Sequence, residues 1–484
     1  MNVTRTGIVL KPDAARVLFR PFNPVGEERP LRTLARVLSL PETEAVEMLG
    51  QVLAEFKTRH QRLLDYFMSR YEFVRELLPT NQPLSQERKL LIGAYFTHEY
   101  SLEAAALFNP SIVPHPDQNG VPEGSLRFVL SLRATGEGHI SSITFRTGMV
   151  DGRGKIQVDT PSRYVTAPQH IPPSSYHKGL FWHKLEELGI VDTIAETILK
   201  NLHDNFTADE LSLEIGYLRR YAHHRNTEFD RTAGRLLNLA RSNYEVIYAP
   251  EQPLSERIIF PHAPNESNGI EDARFVRFVE DDGSVNYVAT YTAYDGRVTI
   301  PQLLETRDFL RFHISTLNGP EVQNKGMALF PRRIRGQYVM LSRQDAENLY
   351  LMYSDELHFW HTKVPLLKPT YSWEFLQIGN CGSPIETEAG WLVLSHGVGP
   401  MRKYSIGAFL LDLEDPSRVI GRLTRPLLSP DELEREGYVP NVVYSCGSLV
   451  HAGLLILPYA MSDTASSFAT VPLAELLKAM EPAD

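Results

Sequence analysis

One short pattern returns five times in this chain, and it limits the fold more than any other feature. The copies are FVLSLRATG (128–136), YVATYTAYDG (287–296), YVMLSRQD (338–345), WLVLSHGVG (391–399) and LLILPYAMSD (454–463). Each is an apolar, strand-like run that ends in polar or aromatic residues. Each is followed by a second short strand candidate, such as ISSITFR, NLYLMYS or SIGAFLLDL. The last four copies are about 50, 53 and 63 residues apart. Strand pairs recurring at this period are the signature of a propeller, whose blades are small antiparallel sheets. The expected fold is therefore a five-bladed β-propeller; the competing reading is an irregular sandwich with coincidental repeats. In a propeller the innermost strands converge on one channel, so the polar strand ends predict a pocket to which every copy contributes.

Two helical regions interrupt the pattern. The first two copies are about 159 residues apart, which leaves room for an insertion of roughly a hundred residues between them. The insertion reads as helix through GLFWHKLEELGIVDTIAETILKNL and TADELSLEIGYLRRYAHHRNTEFDRTAGRLLNLARS, and Thr207 with Glu210 makes a capping box. The N-terminal stretch also carries apolar residues at helical spacing, with Pro41 at a helix start and Ser85 as an N-cap. These signals divide the chain into a helical N-terminal region (1–100), a first blade (101–170), a helical insertion (171–241) and the remaining blades (242–484). The helices have three open roles: capping the channel, restricting substrate length, or building a homo-oligomer.

The formal charge of −10 argues against a nucleic-acid partner, which wants a cationic face. Two cysteines, no signal-peptide pattern and no apolar run of membrane-spanning length lead us to expect a cytoplasmic protein with no membrane partner.

The strongest chemical candidate is NGIEDARF (268–275), with Glu271 and Asp272 adjacent and Arg274 beyond. Strand alternation would put Asp272 and Arg274 on one face and Glu271 on the other. A carboxylate beside a guanidinium is more often a structural ion pair than a catalytic group. Here the segment leads into a repeat copy, which favours chemistry. Glu386, in SPIET ahead of the fourth copy, is the second candidate. Asp272 and Glu386 would supply the acid and base of inverting glycoside hydrolysis, which needs its carboxyls about 6.5–9.5 Å apart. Arg133, Tyr294, Asp295, Arg343, His396 and Asp463 end repeat strands and suit a polyhydroxylated ligand. His139, His223 and His224 lack partners at metal-ligand spacing, so no metal is expected. No phosphate loop, nucleophile elbow or dinucleotide fingerprint is present, and no organic cofactor is expected.

GIEDARF, YTAYDG, KGMALFPRRIRGQYVMLSR, SPIETEAGWLVLSHGV, FLLDLEDPSRVIGR and GYVPNVVYSCG occur in one order over about residues 242–470, with FNPSIVP and SLRATG supplying the first blade. Together they resemble glycoside hydrolase family 130, the mannoside phosphorylases and β-1,2-mannosidases on five-bladed propellers. The resemblance implies that Asp272 is the general acid, although Ala273 stands where the family's motif has proline. It implies that the acid acts through a sugar hydroxyl and that Asp463 contacts the mannose being cleaved. Asn109, Arg133, His396 and Tyr404 match pocket-lining positions. Phosphorylases carry PPIKT where this chain has SPIET, so Glu386 replaces a phosphate-holding lysine and would repel a phosphate dianion. This favours an inverting hydrolase of β-mannosides, with Asp272 as acid and Glu386 as base, acting on a mannose-containing oligosaccharide. Lys325 and Arg343 fall where phosphorylases place anion-binding cations; pairing with Glu386 or another pocket carboxylate is the preferred role for them. The alternatives are a phosphorylase that uses inorganic phosphate and releases mannose-1-phosphate, and a non-catalytic glycan-binding propeller.

Overall fold

A computed structural model describes residues 2–26, 28–80, 82–171, 175–221 and 227–482. His223 and His224 lie outside the described residues. Each of the five repeat copies becomes a strand in a different antiparallel sheet, and in each sheet it is the second strand of a meander. The first sheet runs Ala106–Pro114, Leu126–Thr135, Ser141–Val150, with Ile258–Ile259 on its outer edge. The second runs Ile270–Val279, Val285–Tyr294, Thr299–Thr306, Arg311–Thr316, and gains Tyr244–Ile247 and Gln169–Ile171 from the two ends of the insertion. The third is Ala328–Leu329, Tyr338–Ser342, Leu349–Ser354 and Thr362–Leu367. The fourth is Gln377–Asn380, Gly390–Val398, Tyr404–Leu411 and Val419–Arg422, and Ile385–Thr387 pairs with the start of its second strand. The fifth is Val443–Tyr444, Leu454–Met461 and Ala465–Pro472.

The strand Thr4–Leu10 completes the fifth sheet, pairing Thr4 with Thr470 and Leu10 with Ser466. The N-terminal region is therefore not helical throughout, because its first strand covers an edge that Ala465–Pro472 would otherwise expose. A second strand, Val17–Pro21, pairs with Thr97–Ser101 and brackets the four helices Glu28–Ser39, Glu42–Phe56, Leu63–Val74 and Gln86–Tyr95. Ser85 caps the last of them by accepting from the Arg88 amide at 3.1 Å. The Thr207–Glu210 capping box also forms, at the head of the helix Ala208–Tyr221.

No sheet closes on itself; apolar clusters join each sheet to the next. Phe145 and Phe275 lie between the first and second, Phe278 and Met340 between the second and third. Phe330 and Trp391 join the third to the fourth, and Leu394 and Leu457 the fourth to the fifth. Phe128 and Phe468 join the first sheet to the fifth. The insertion has a separate core around Phe181, Ile198, Leu211 and Leu236.

A buried charge cluster anchors the N-terminal segment to the first sheet. Arg16 Nε and Arg146 Nη2 lie 3.0 and 2.7 Å from the same Glu103 oxygen. Two guanidiniums around one carboxylate are tolerable only while the carboxylate stays charged. Glu103→Gln should therefore cost about 3–5 kcal/mol, read as a lower denaturation midpoint, whereas a glutamine swap at exposed Glu28 should cost under about 0.5 kcal/mol.

Candidate functional site

Two β-bulges create the site. The pairing of Ala106–Pro114 with its neighbour shifts between Phe108 and Ser111, and that of Ile270–Val279 shifts between Glu271 and Arg274. Each bulge holds a non-glycine residue in the left-handed region, Asn109 at φ 49° and Asp272 at φ 54°. A bulge re-aims side chains, and here it overturns the expected alternation. Glu271 and Asp272 both reach Arg133, at 3.0 and 3.4 Å, while Arg274 goes elsewhere. Asn109 Nδ2 donates to Asp272 Oδ1 at 2.6 Å, and Arg133 Nε donates to Ser141 Oγ at 3.0 Å.

A cavity of about 150 Å³ opens over Asp272. Residues from all five sheets and their loops line it: Asn109, Arg133, Asp272, Lys325, Arg343, His396, Tyr404 and Asp463 among the expected residues, together with Arg402 and Tyr444. The family motif GYVPNVVYSCG contained Tyr444, but nothing in a lone tyrosine separates pocket from core. Arg402 precedes Tyr404 in a turn with Met401 and Arg402 at φ 58° and 54°.

Arg274 lies buried below the cavity. It donates to Tyr444 Oη at 2.6 Å and to Asn380 Oδ1 at 3.3 Å. Tyr294 and Asp295 do not line the cavity. Asp295 instead accepts from the amides of Arg297 and Val298, closing its own turn.

Glu386 is the main correction. Its carboxylate makes a bidentate pair with Arg332, at 2.9 and 2.7 Å, and borders a separate cavity of about 320 Å³ with Arg277 and Ser383. It sits opposite Trp391 in the strand pairing, five residues before His396 on the same strand. At about 3.3 Å per residue, that puts it roughly 16 Å along the strand from the Asp272 cavity. Arg332, which also stacks on Trp391 at 4.9 Å, supplies the compensation that the sequence reading sought from Lys325 or Arg343.

Lys325 lies 3.4 Å from Glu271, so it has a carboxylate partner. Arg343 is buried, and among the described residues no carboxylate lies within ion-pair distance of it. Its Nη1 is 3.3 Å from His396 Nε2, it hydrogen-bonds the Gln377 amide oxygen once that amide is turned to match its neighbours, and its buried Nε has no partner. Burial, with Arg343 and Arg274 nearby, pushes the His396 imidazole well below its ordinary value, so it is neutral at pH 7. Its Nδ1 is 3.2 Å from the Asn380 carbonyl, and its Nε2 faces both Arg343 Nη1 and the Gln377 amide oxygen, at 3.3 and 3.2 Å. A Cβ on Gly379 would come within 2.3 Å of the imidazole, so only glycine lets His396 lie here.

The two cavity carboxylates are pushed apart. Burial alone would raise Asp272, but Arg133, Arg274, Lys325 and the Asn109 amide hold it below the usual carboxylate range. Burial and the neighbouring Asp272 charge push Asp463 up to about 6. The folded state thus favours the protonated form of Asp463, and this carboxyl's contribution to stability falls as pH rises from about 4 through 6. Asp463→Asn should accordingly raise the melting temperature at pH 8, by at most about 3 kcal/mol of stability, and change it little at pH 3.

Comparisons with known proteins point to one family. The family model described as β-1,4-mannooligosaccharide phosphorylase, of glycoside hydrolase family 130, matches residues 227–482. A 1,2-β-oligomannan phosphorylase of Thermoanaerobacter sp. strain X514 is 35% identical over 231 residues, covering 46% of this chain and 75% of that protein. A β-1,2-mannobiose phosphorylase of the same strain is 32% identical over 221 residues, covering 43% and 68%. The solved β-1,2-mannobiose phosphorylase of Listeria innocua aligns with a TM-score of 0.46 at 20% identity, over 78% of this chain and 92% of that one. With the family model spanning more than half of its length, this chain belongs to glycoside hydrolase family 130.

Proposed function

We propose that this protein is a β-mannoside phosphorylase acting on β-1,2-linked manno-oligosaccharides, and that its five sheets are the blades of a propeller around the Asp272 cavity. The observation that carries the reading is Arg343, a buried cation in the same cavity as Asp272 with no carboxylate within ion-pair distance among the described residues. A buried charge without a partner is costly, and an anion from solution supplies one. The relatives' phosphorylase activities and their β-1,2 linkages support the same reading. The hydrolase expected from the sequence depended on Glu386 activating water, and Glu386 is held by Arg332 at another cavity.

In this mechanism inorganic phosphate sits against Arg343, Lys325 and neutral His396. One phosphate oxygen attacks the anomeric carbon as the bond to the leaving sugar's oxygen breaks. The proton carried by Asp272 passes to that oxygen, by way of a sugar hydroxyl as the family resemblance implies. The products are mannose-1-phosphate and a shortened saccharide. At rest the surrounding cations keep Asp272 ionised; a bound phosphate dianion offsets them and raises its proton affinity, readying it as an acid. Arg133 and Asn109 orient the Asp272 carboxyl, and Asp463 accepts hydroxyls of the mannosyl ring.

With β-1,2-mannobiose, product formation should require inorganic phosphate and yield mannose-1-phosphate; free mannose as sole product, formed equally well without phosphate, would overturn the reading. Arg343→Met should raise the KM for phosphate by about 100-fold, the loss expected for one charge-assisted contact. Asp272→Asn should lower kcat by about 10²–10⁴, and Glu386→Gln should leave kcat within about twofold, as for a residue away from the chemistry.

A further inference from the structure

Two aromatic rings that the proposed chemistry does not use stand next in the chain, or nearly so, to residues of the cavity and its supports. His139 and Tyr438 stack with centroids 5.5 Å apart and planes 26° from parallel. His139 is exposed and held at φ 59°, and Tyr438 is 69% exposed. Both are tied to the site. His139 lies two residues before Ser141, the acceptor for Arg133, which in turn holds Asp272. The Tyr438 amide donates to Thr464 Oγ1 and the Val439 amide to the Ser462 carbonyl, each at 3.1 Å, so this loop is fastened on both sides of Asp463. Val439 itself lines the cavity, and Met401, 89% exposed, stands next to the cavity residue Arg402.

We propose that His139 and Tyr438 form a stacking platform for the sugar ring joined to the mannose being cleaved, the ring that leaves in phosphorolysis and attacks in the reverse direction. This rests on the reading of the Asp272 cavity as a site that cleaves mannosides. The cavity floor is charged and hydrogen-bonding, which suits a ring recognised by its hydroxyls. The stacked His139–Tyr438 pair instead offers an exposed aromatic surface. A pyranose has one face rich in C–H groups, and polarised C–H edges complement the negative face of an aromatic ring. Such a surface selects a saccharide by the presence of that face more than by the pattern of its hydroxyls. Apolar contacts discriminate weakly between similar ligands, so epimeric hexopyranoses should serve as acceptors with KM values within about tenfold of one another.

Steady-state kinetics with β-1,2-mannobiose and phosphate tests the platform. Tyr438→Ala should raise the KM for the disaccharide by about tenfold or more, the size of one lost aromatic–ring stacking contact, while the KM for phosphate stays unchanged. Tyr438→Phe should keep both values near wild type, and His139→Ala should move the disaccharide KM in the same direction as Tyr438→Ala. An unchanged disaccharide KM in Tyr438→Ala would overturn the platform. So would equal losses in the alanine and phenylalanine variants, which would mean that the hydroxyl is used, or an equal rise in the phosphate KM, which would mean a general disturbance. If wild type releases mannose without phosphate, the phosphorylase reading fails, yet the same comparison of Tyr438 variants still decides the platform. If wild type releases no product, calorimetry of β-1,2-mannobiose binding to Asp272→Asn, with and without Tyr438→Ala, decides it. Weaker binding in the double variant supports the platform and equal binding overturns it.

Discussion

The proposed chemistry depends on a buried guanidinium, Arg343, that has no carboxylate partner among the described residues. Arg343 is buried at the cavity wall, and among the described residues its guanidinium meets a neutral imidazole and an amide oxygen but no carboxylate. The neighbouring carboxylates do not relieve it: Glu271 serves Arg133 and Lys325, Asp272 answers to Arg133, and Asp463 makes no ion pair with it among the described residues. The cavity is therefore rich in cations at the point where a nucleophile would stand. An anion binding there neutralises Arg343 and, through the same field, strengthens the proton affinity of Asp272. In the proposed mechanism, anion binding and acid catalysis are one electrostatic event.

The fold meets the cost of holding this arrangement by spreading it over five sheets. Asn109, Asp272, Met401, Arg402, Ser462 and Asp463 all sit at positive φ without being glycine. Such backbone costs of order 1–3 kcal/mol per residue and persists only where the surroundings over-determine it. Here they do, with Phe145 and Phe275, Leu394 and Leu457, and Phe128 and Phe468 locking neighbouring sheets together. The bulge at Asp272 and the bulge at Asn109 face each other across a 2.6 Å hydrogen bond, so the strain in one strand fixes the geometry of the other.

The repeat was legible because each copy is a central strand, buried on both faces, and its apolar run stands out. The strands that precede the copies were harder to see. Val443–Tyr444 and Ala328–Leu329 are two residues long and carry no periodicity. Thr4–Leu10 was hidden for another reason: its partner lies at the far end of the chain, and local pattern says nothing about a pairing across more than 450 residues. At Glu271–Asp272 the alternation rule failed because a bulge without glycine leaves no mark in the sequence. Glu386 shows a subtler limit. Its place in a motif aligned it with a phosphate-binding lysine, but Glu386 lies beside the start of the strand Gly390–Val398, and the cavity lies towards that strand's other end. Tyr294 and Asp295 end a repeat strand as Arg343 does, yet the Asp295 carboxylate is used within its own turn.

The most direct test of the central claim is calorimetric titration of inorganic phosphate into the sugar-free protein. The account predicts saturable phosphate binding in the wild type, lost when Arg343 becomes methionine and retained when Glu386 becomes glutamine. Wild-type protein that binds no phosphate, or an Arg343→Met variant that binds it as tightly as wild type, would contradict it.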